Sequence, residues 1–337
     1  MTHLEYSSFP SKSRIHIGES GQGYALRMAT ENHLNGLPQL KALLGKSRYA
    51  TLDAADTPFL HRWFGADAQA LDIALGWMQK GPSTVSIFYA GQQLGRSYFL
   101  NRSYPRICFQ CLEELGHCRT TWDFCLSTAC AEHQTLLSEV CPNCERAISW
   151  NRPALQVCNC RLQFVLPPDA SPATRLEVQF SAWCEEQSRC TSTEPVETSH
   201  PTRLNRPPEG DLEPLMMLVW PLSLNGGMHL AFSLATAAGY EASLPCAERR
   251  ARKPLMKARQ CLERANALAR LLGQSDKLHF RIRRPDVVIQ LLADCMAGGA
   301  PAADRHMAQS ILSTVLNQKR KTSWAGVNPQ LSQLTLF

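Results

Sequence analysis

The chain has 337 residues, 44% of them apolar, with 35 Lys and Arg against 29 Asp and Glu, a net charge of +6 and 14 cysteines. That length predicts two or three domains with real hydrophobic cores. No run approaches the roughly 20 uninterrupted apolar residues of a membrane span; the nearest, Leu215 to Leu224, is short and broken by Pro221, so no membrane partner is expected. Met1 to Pro10 lacks the basic-then-apolar layout of an export signal. A cytoplasmic, nucleoid-associated protein of a prokaryote is expected, in a reducing compartment where thiolates stay available to a metal.

Residues 1 to 18 read as an extended lead-in. Ser20 can cap a helix running to about His33, with Tyr24, Ala25, Met28 and Ala29 on one face, although Gly21 and Gly23 weaken its first turn. Asn35-Gly36 makes a turn, and Pro38 opens a second short helix with Leu40, Leu43 and Leu44, closed by Gly45. Such a pair is compatible with a helix-turn-helix and also with a plain helical hairpin. Phe59, Leu60, Trp63 and Phe64 cluster next, and Leu71, Ala74, Leu75 and Met78 recur at helical spacing until Gly81-Pro82, rows that predict core. Residues 91 to 107 set Arg96, Arg102 and Arg106 among Tyr98, Phe99 and Tyr104, read as packing onto the module that follows rather than as stacking on bases.

Eight metal-type ligands then fall in four close pairs: Cys108/Cys111, Cys130/His133, Cys141/Cys144 and Cys158/Cys160. Two pairs make one tetrahedral cage, so the stretch predicts two complete structural zinc sites in tandem, the second all thiolate. A closed quartet leaves no open position for water or substrate, which argues against a zinc enzyme. The deaminase pattern is absent as well, since Pro142 follows Cys141 rather than preceding a C-x-x-C pair. A disulfide cluster is the competing reading; the regular spacing and the absence of a secretory signal oppose it. Arg106, Arg119, Arg146, Arg152 and Arg161 stand near enough in sequence to offset the negative centres, or to be ordinary surface residues. Ile148, Trp150, Leu155 and Val157 alternate about Asn151-Arg152-Pro153, and Leu162, Phe164 and Leu166 continue the period, which predicts the hairpin of a zinc ribbon. Metal is what lets so small a module fold.

Arg175 to Glu186 reads as a helix, and Ser188 to Pro214, rich in Ser, Thr and Pro, as a linker. Three apolar stripes follow: Leu255, Ala258, Leu262, Ala265, Ala269 and Leu272; then Val288, Leu291, Leu292 and Cys295; then Ile311, Leu312, Val315 and Leu316. From Ala247 to Lys321 there are 16 Lys and Arg against 6 Asp and Glu, net +10, which leaves the rest of the chain at −4. Basic runs at Arg249, Arg250, Arg252 and Lys253, at Arg281, Arg283 and Arg284, and at Lys319, Arg320 and Lys321 are the candidate nucleic-acid contacts. Cys118, Cys125, Cys184, Cys190, Cys246, Cys261 and Cys295 lack knuckle partners and are expected as buried thiols. No nucleophile triad, phosphate loop or carboxylate pair emerges, so no catalytic residue is assigned.

The expected fold is mainly α with small zinc-ribbon β elements. The domains read as an N-terminal helical domain with a helix-turn-helix (1–100), a tandem zinc-binding region (101–168), a helix and linker (169–214) and a basic helical C-terminal domain (215–337).

With the helix pair and the two quartets placed, the chain resembles the TniQ/TnsD family of transposon target-selection proteins. The matching stretches are Glu19-Ser20 with Arg27 and Ala29, then Tyr104 to Glu113, Trp122, Cys130 to His133, Leu137, Cys141 to Cys144 and Cys158 to Cys160, covering roughly residues 14–166. It departs from the family at Phe109, where proline is usual, at Gly21 and Gly23, which replace larger residues, and at Glu145 and Arg161. Those last two stand where glycine usually closes the knuckle, a place favouring positive φ. The resemblance implies a non-enzymatic adaptor with two structural Zn²⁺ ions, working as a homodimer. Such an adaptor chooses the target by docking on an RNA-guided CRISPR effector complex or by binding target DNA, and then recruits an AAA+ ATPase and the transposase. The modest length and single zinc array lean toward the guided route. A zinc-containing, sequence-specific transcription regulator built from the same parts is the alternative.

Overall fold

The computed structural model describes residues 8–80, 85–102, 104–165, 171–189, 211–240, 254–274, 285–296 and 300–323. It divides into two compact units, Met1–Arg203 with Ser243–Arg259, and Leu204–Ala242 with Gln260–Phe337. Both are mainly helical, and one small sheet lies in the first.

In the first unit, helix α1 (Gly21–Glu31) starts where its cap predicts, the Ser20 hydroxyl accepting from the Gly23 N–H. It is buried without interruption from Gly21 to Ala29. A Cβ on Gly21 would sit 2.7 Å from the Ala74 carbonyl oxygen and one on Gly23 2.9 Å from the Cys118 Cβ, so close packing on two sides overrides helix propensity here. Helix α2 (Gly36–Leu43) packs against α1 and buries Leu37 and Leu40. Helices α3 (Thr57–Phe64) and α4 (Ala68–Leu75) follow, with Leu60, Trp63, Phe64, Leu71 and Leu75 buried as expected, whereas Phe59, expected in the same core row, is exposed.

The next segment corrects the sequence reading. The helical row expected to reach Met78 stops at Leu75, because Gly76 takes φ +68° and a Cβ there would lie 2.4 Å from the Phe88 carbonyl oxygen. The chain turns instead into an antiparallel sheet, β1 (Trp77–Lys80), β2 (Val85–Tyr89) and β3 (Gln92–Leu94), in the order β1-β2-β3. Met78 is therefore a strand residue, 62% exposed rather than core. Ile87, Tyr89 and Leu94 face inward and are buried, and Trp77, Phe88 and Gln93 align on the opposite face.

Helices α5 (Phe109–Leu115) and α6 (Arg175–Arg189) flank the cysteine-rich segment. There the predicted ribbon hairpin is reduced to isolated bridges, Val140–Ala147, Ala154–Val157 and Val157–Gln163, with no regular strand among the described residues. Ile148, Trp150 and Leu155 do enter the core as their alternation predicts, but Leu162 is 55% exposed, and Leu166 lies outside the described residues. One core joins α1 to α4 with Ile107, Cys108, Phe109, Cys111, Leu112, Trp122, Cys130, Leu137, Ile148, Trp150 and Leu155.

The second unit is built on α7 (Pro214–Val219), α8 (Leu224–Ala237), α9 (Pro254–Gln274), α10 (Pro285–Met296) and α11 (Ala302–Ser323); the first turns of α9 belong to the first unit. Helix α8 is buried all round from Gly226 to Ala237 and packs against α7, α10 and α11, as an apolar helix at the middle of a bundle must. The buried Asp304 carboxylate accepts from the Ser223 N–H at 2.9 Å and from the Ser223 hydroxyl, tying α11 to the start of α8. The first two stripes are core: Ala258, Leu262, Ala265 and Ala269 are buried, as are Val288, Leu291, Leu292 and Cys295. The third is not. Ile311 and Leu312 are half-buried and Leu316 is 40% exposed, because α11 turns Asp304 and Ala308 inward instead. Cys118, Cys125, Cys184, Cys261 and Cys295 are buried thiols, and Cys190, Cys246 and the linker from 190 to 210 lie outside the described residues. No described helix is long and apolar enough to cross a membrane.

Candidate metal centres

The eight ligands gather as two groups, Cys108, Cys111, Cys130 and His133, and Cys141, Cys144, Cys158 and Cys160, with the donor atoms of each group within 4.8 Å of one another. In the first, Cys111 and Cys130 sulfurs are 3.4 Å apart, and His133 Nδ1 lies 3.4, 3.2 and 3.5 Å from the sulfurs of Cys108, Cys111 and Cys130. In the second, Cys141–Cys160 and Cys144–Cys158 are separated by 4.0 and 3.8 Å. A tetrahedron with metal–sulfur bonds of about 2.3 Å has donor–donor edges of about 3.8 Å, far longer than the roughly 2 Å of a disulfide. Both quartets could hold a metal ion, and the soft donor set suits zinc. Thiols at such separations compete for protons. Hydrogen bonds from Cys111 and Cys130 draw Cys108 down to about 3 while those to Cys108 and Cys130 push Cys111 up. A backbone hydrogen bond from Arg146 lowers Cys144 to about 6, while burial raises Cys158 to about 12.

All four ligand pairs close with the same backbone hydrogen bond, Leu112 N–H donating to the Cys108 carbonyl at 3.0 Å in the first, and three of them need a left-handed residue to make it. The residue after the second ligand donates its N–H to the carbonyl of the first, as Gln134 to Cys130, Glu145 to Cys141 and Arg161 to Cys158, each at 2.9 Å. To do so Gln134, Glu145 and Arg161 adopt φ of +53°, +56° and +70°. The positive φ expected where glycine is usual is thus present on non-glycine residues, each strained by about 1–2 kcal/mol. In the Cys108/Cys111 pair Leu112 closes the turn as part of helix α5, which Cys108 caps with its sulfur accepting the Cys111 N–H at 3.5 Å, so no left-handed residue is needed.

Sequence reasoning did not find Glu114. Its carboxylate accepts from His133 Nε2 at 3.0 Å, leaving Nδ1 to face the three sulfurs. That is the carboxylate–histidine–metal arrangement that fixes tautomer and ring orientation. Glu114 lies three residues after Cys111 on α5, so helical spacing from a ligand is the signal that pointed to it.

The five arginines divide. Arg106 is buried and donates to Glu139 and to the carbonyls of Cys125 and Ser127, and Arg119 pairs with Glu185 at 3.0 Å. Arg146 faces Cys144, whose sulfur raises the guanidinium pKa, and Arg161 is exposed. Arg152 is buried, donates to the Leu155 and Ser149 carbonyls and lies 5.3 Å over the Trp150 ring. It shapes the loop between Ser149 and Leu155, and that loop clamps the helix pair. Leu155 N–H donates to Thr30 Oγ1 on α1 at 3.1 Å, and Lys41 Nζ on α2 donates to Asn151 Oδ1 at 3.1 Å. Burial lowers Lys41 to about 8. Gly36, at φ +68° between the helices, approaches the Arg152 carbonyl so closely that a Cβ would lie 2.0 Å from its oxygen. At the other end, Ser20 N–H donates to the Cys118 carbonyl at 2.8 Å and Thr120 N–H to that of Gly18 at 2.8 Å, which ties the start of α1 to the segment leaving α5.

The candidate nucleic-acid residues are not brought together by anything described. Arg249, Arg250, Arg252, Lys253, Arg281, Arg283 and Arg284 lie outside the described residues, and Lys319, Arg320 and Lys321 are helical in α11 with undescribed side chains.

A model of the TniQ family matches residues 10–137, and no curated protein matches the chain. The matched segment holds α1 to α5 and the whole first quartet, and it stops before Cys141. A TniQ domain implies a transposition-associated role in target selection. Residues 10–137 thus carry a match to the TniQ domain, which ends four residues after the last ligand of the first centre.

Proposed function

We propose that this chain is a non-catalytic adaptor of DNA transposition. It selects the insertion site by docking, as a homodimer, on an RNA-guided CRISPR effector complex, or by binding target DNA, and it recruits an AAA+ ATPase that brings the transposase. The observation that carries this reading is the TniQ match over residues 10–137, which holds the α1–α2 pair, hydrogen-bonded at its start to Cys118 and near its turn to Leu155. An adaptor needs a rigid surface more than a reactive group. Two structural Zn²⁺ ions, held by Cys108, Cys111, Cys130 and His133 and by Cys141, Cys144, Cys158 and Cys160, supply that rigidity, since metal binding in such modules is folding free energy. The closed ligand sets leave no position for substrate. The basic runs at 249–253, 281–284 and 319–321 supply the charge that DNA or guide RNA demands.

The test is reconstitution with the products of neighbouring genes. The purified chain is expected to co-elute with the AAA+ ATPase and with the RNA-guided complex, and to direct insertion to the guided site in a transposition assay. An insertion profile unchanged by deleting the gene would remove the reading. Retention on one duplex sequence without any ATPase interaction would favour a transcription regulator.

A further inference from the structure

The small sheet has an outer face that neither metal centre uses. We propose that this face, centred on Trp77 and Phe88, is a stacking platform for single-stranded nucleic acid. The register puts Trp77 of β1 directly opposite Phe88 of β2, and Phe88 opposite Gln93 of β3. The two rings are parallel, 4.9 Å between centroids and 9° between planes, and Trp77 keeps 41% of its surface exposed. Because β1 is an edge strand, the Trp77 ring has Phe88 on one side and, among the described residues, no further strand on the other. A planar base fits beyond it and extends a stack already begun.

The polar residues beside the pair suit the same ligand. Gln79, Ser86 and Gln93 share this face, with Gln93 Nε2 donating to the Ser86 hydroxyl at 3.2 Å, and amide and hydroxyl groups can read the edges of splayed bases. The charge is complementary too. From Ile73 to Leu112 the chain has no Asp or Glu but has Lys80, Arg96, Arg102 and Arg106. Arg102 and Arg106 serve the interior, the first on the carbonyls of Leu52 and Leu75, the second on Glu139. Lys80 ends β1 and Arg96 follows β3 by two residues. Exposed aromatic rings in a segment that carries cations and no carboxylate describe a surface for bases and phosphates rather than for a basic peptide. Duplex DNA cannot use it, because its bases are already stacked.

The platform stands independently of the transposition reading, because its assay involves neither ATPase nor transposase. Fluorescein-labelled oligothymidine and oligouridine of about 15 nucleotides are titrated with the full chain, and the tighter of the two tells DNA from RNA. Trp77→Ala and Phe88→Ala are each expected to weaken the tighter oligonucleotide roughly five- to 150-fold, the loss of one stacked base, while Trp77→Phe keeps most of the affinity. Basic runs elsewhere also attract oligonucleotides, so crosslinking locates the contact. A 5-iodouracil oligonucleotide irradiated on the unaltered chain is expected to leave its adduct on the peptide that contains Trp77 or Phe88. Adducts confined to other peptides, or affinity unchanged in both alanine variants, would overturn the platform. So would a shift in self-association on Trp77→Ala with oligonucleotide binding intact, which would assign the face to a second copy.

Discussion

The quartet of Cys108, Cys111, Cys130 and His133 puts its three cysteines into the same core as α1 to α4, whereas that of Cys141, Cys144, Cys158 and Cys160 contributes none of its ligands to that core and leaves Cys144 and Cys160 half-buried. The ligand chemistry is nearly the same, but the mechanical role is not. The first quartet sits between α5 and the segment that meets the start of α1, so a metal held there would be part of what keeps the helices together. The second fixes a loop at the rim, whose far end reaches the α1–α2 turn through Arg152, Asn151 and Leu155. Losing the first should dissolve the domain; losing the second should release a clamp.

The sharpest way to break that distinction is one serine at each centre. Cys111→Ser is expected to yield no folded protein, because structural zinc contributes about 10–16 kcal/mol and a domain has only about 5–15 kcal/mol to lose. Cys160→Ser is expected to leave a folded chain that binds one zinc instead of two, by native mass spectrometry. A folded, soluble Cys111→Ser chain would erase the proposed difference. Next in size, Gly36→Ala tests the clamp itself: its Cβ meets the Arg152 carbonyl, and a cost of about 3 kcal/mol is expected in urea unfolding. A cost under about 1 kcal/mol would mean that the loop yields freely.

Glu114→Gln separates the centres chemically. Zinc affinity of the first should fall about 10–100-fold in chelator competition and that of the second should not change, with Glu114→Asp recovering part of the loss. Equal weakening of both centres would show a general effect on folding. Asp123 sharpens the picture from the first-centre side. It accepts from the hydroxyls of Ser20 and Tyr89, and burial raises its pKa to about 6. A carboxyl raised from about 3.9 in the unfolded chain contributes stability that is complete below pH 4 and lost as pH rises through 6, about 3 kcal/mol in all. About half of that falls between pH 5 and pH 7.5, so the stability difference between the native chain and Asp123→Asn should move by about 1–2 kcal/mol across that range, in the direction of relative gain for the variant. A pH-independent difference would contradict the assignment. The smallest effect is a gain: Arg161→Gly relieves a left-handed residue at the second centre and should stabilise by about 1 kcal/mol in thermal unfolding, without change in zinc content.

The ligand sets were legible in the sequence because a knuckle is local. Cys141 and Cys144 are brought together by one turn, whose left-handed closing residue the family resemblance places at Glu145. The Ser20 cap of α1 and the apolar stripes of α1, α9 and α10 were legible for the same reason. The sheet was not, because Leu71, Leu75 and Met78 satisfy a helical period up to the point where Gly76 meets the Phe88 carbonyl, a contact twelve residues away. Nor could the arginines be sorted by inspection. Arg106 and Arg152 look like surface cations until the carbonyls of Cys125, Ser127, Ser149 and Leu155 converge on them.

By itself, then, the sequence determined that this protein carries two closed quartets of soft ligands beside a pair of short helices, because both patterns rest on spacing within one or two turns of chain. Only the tertiary structure decided that one quartet belongs to the core and the other to its rim, that Glu114 orients His133, and that a loop near the second quartet holds the turn between α1 and α2. Those facts depend on which distant segments share a core, and spacing along the chain carries no information about that.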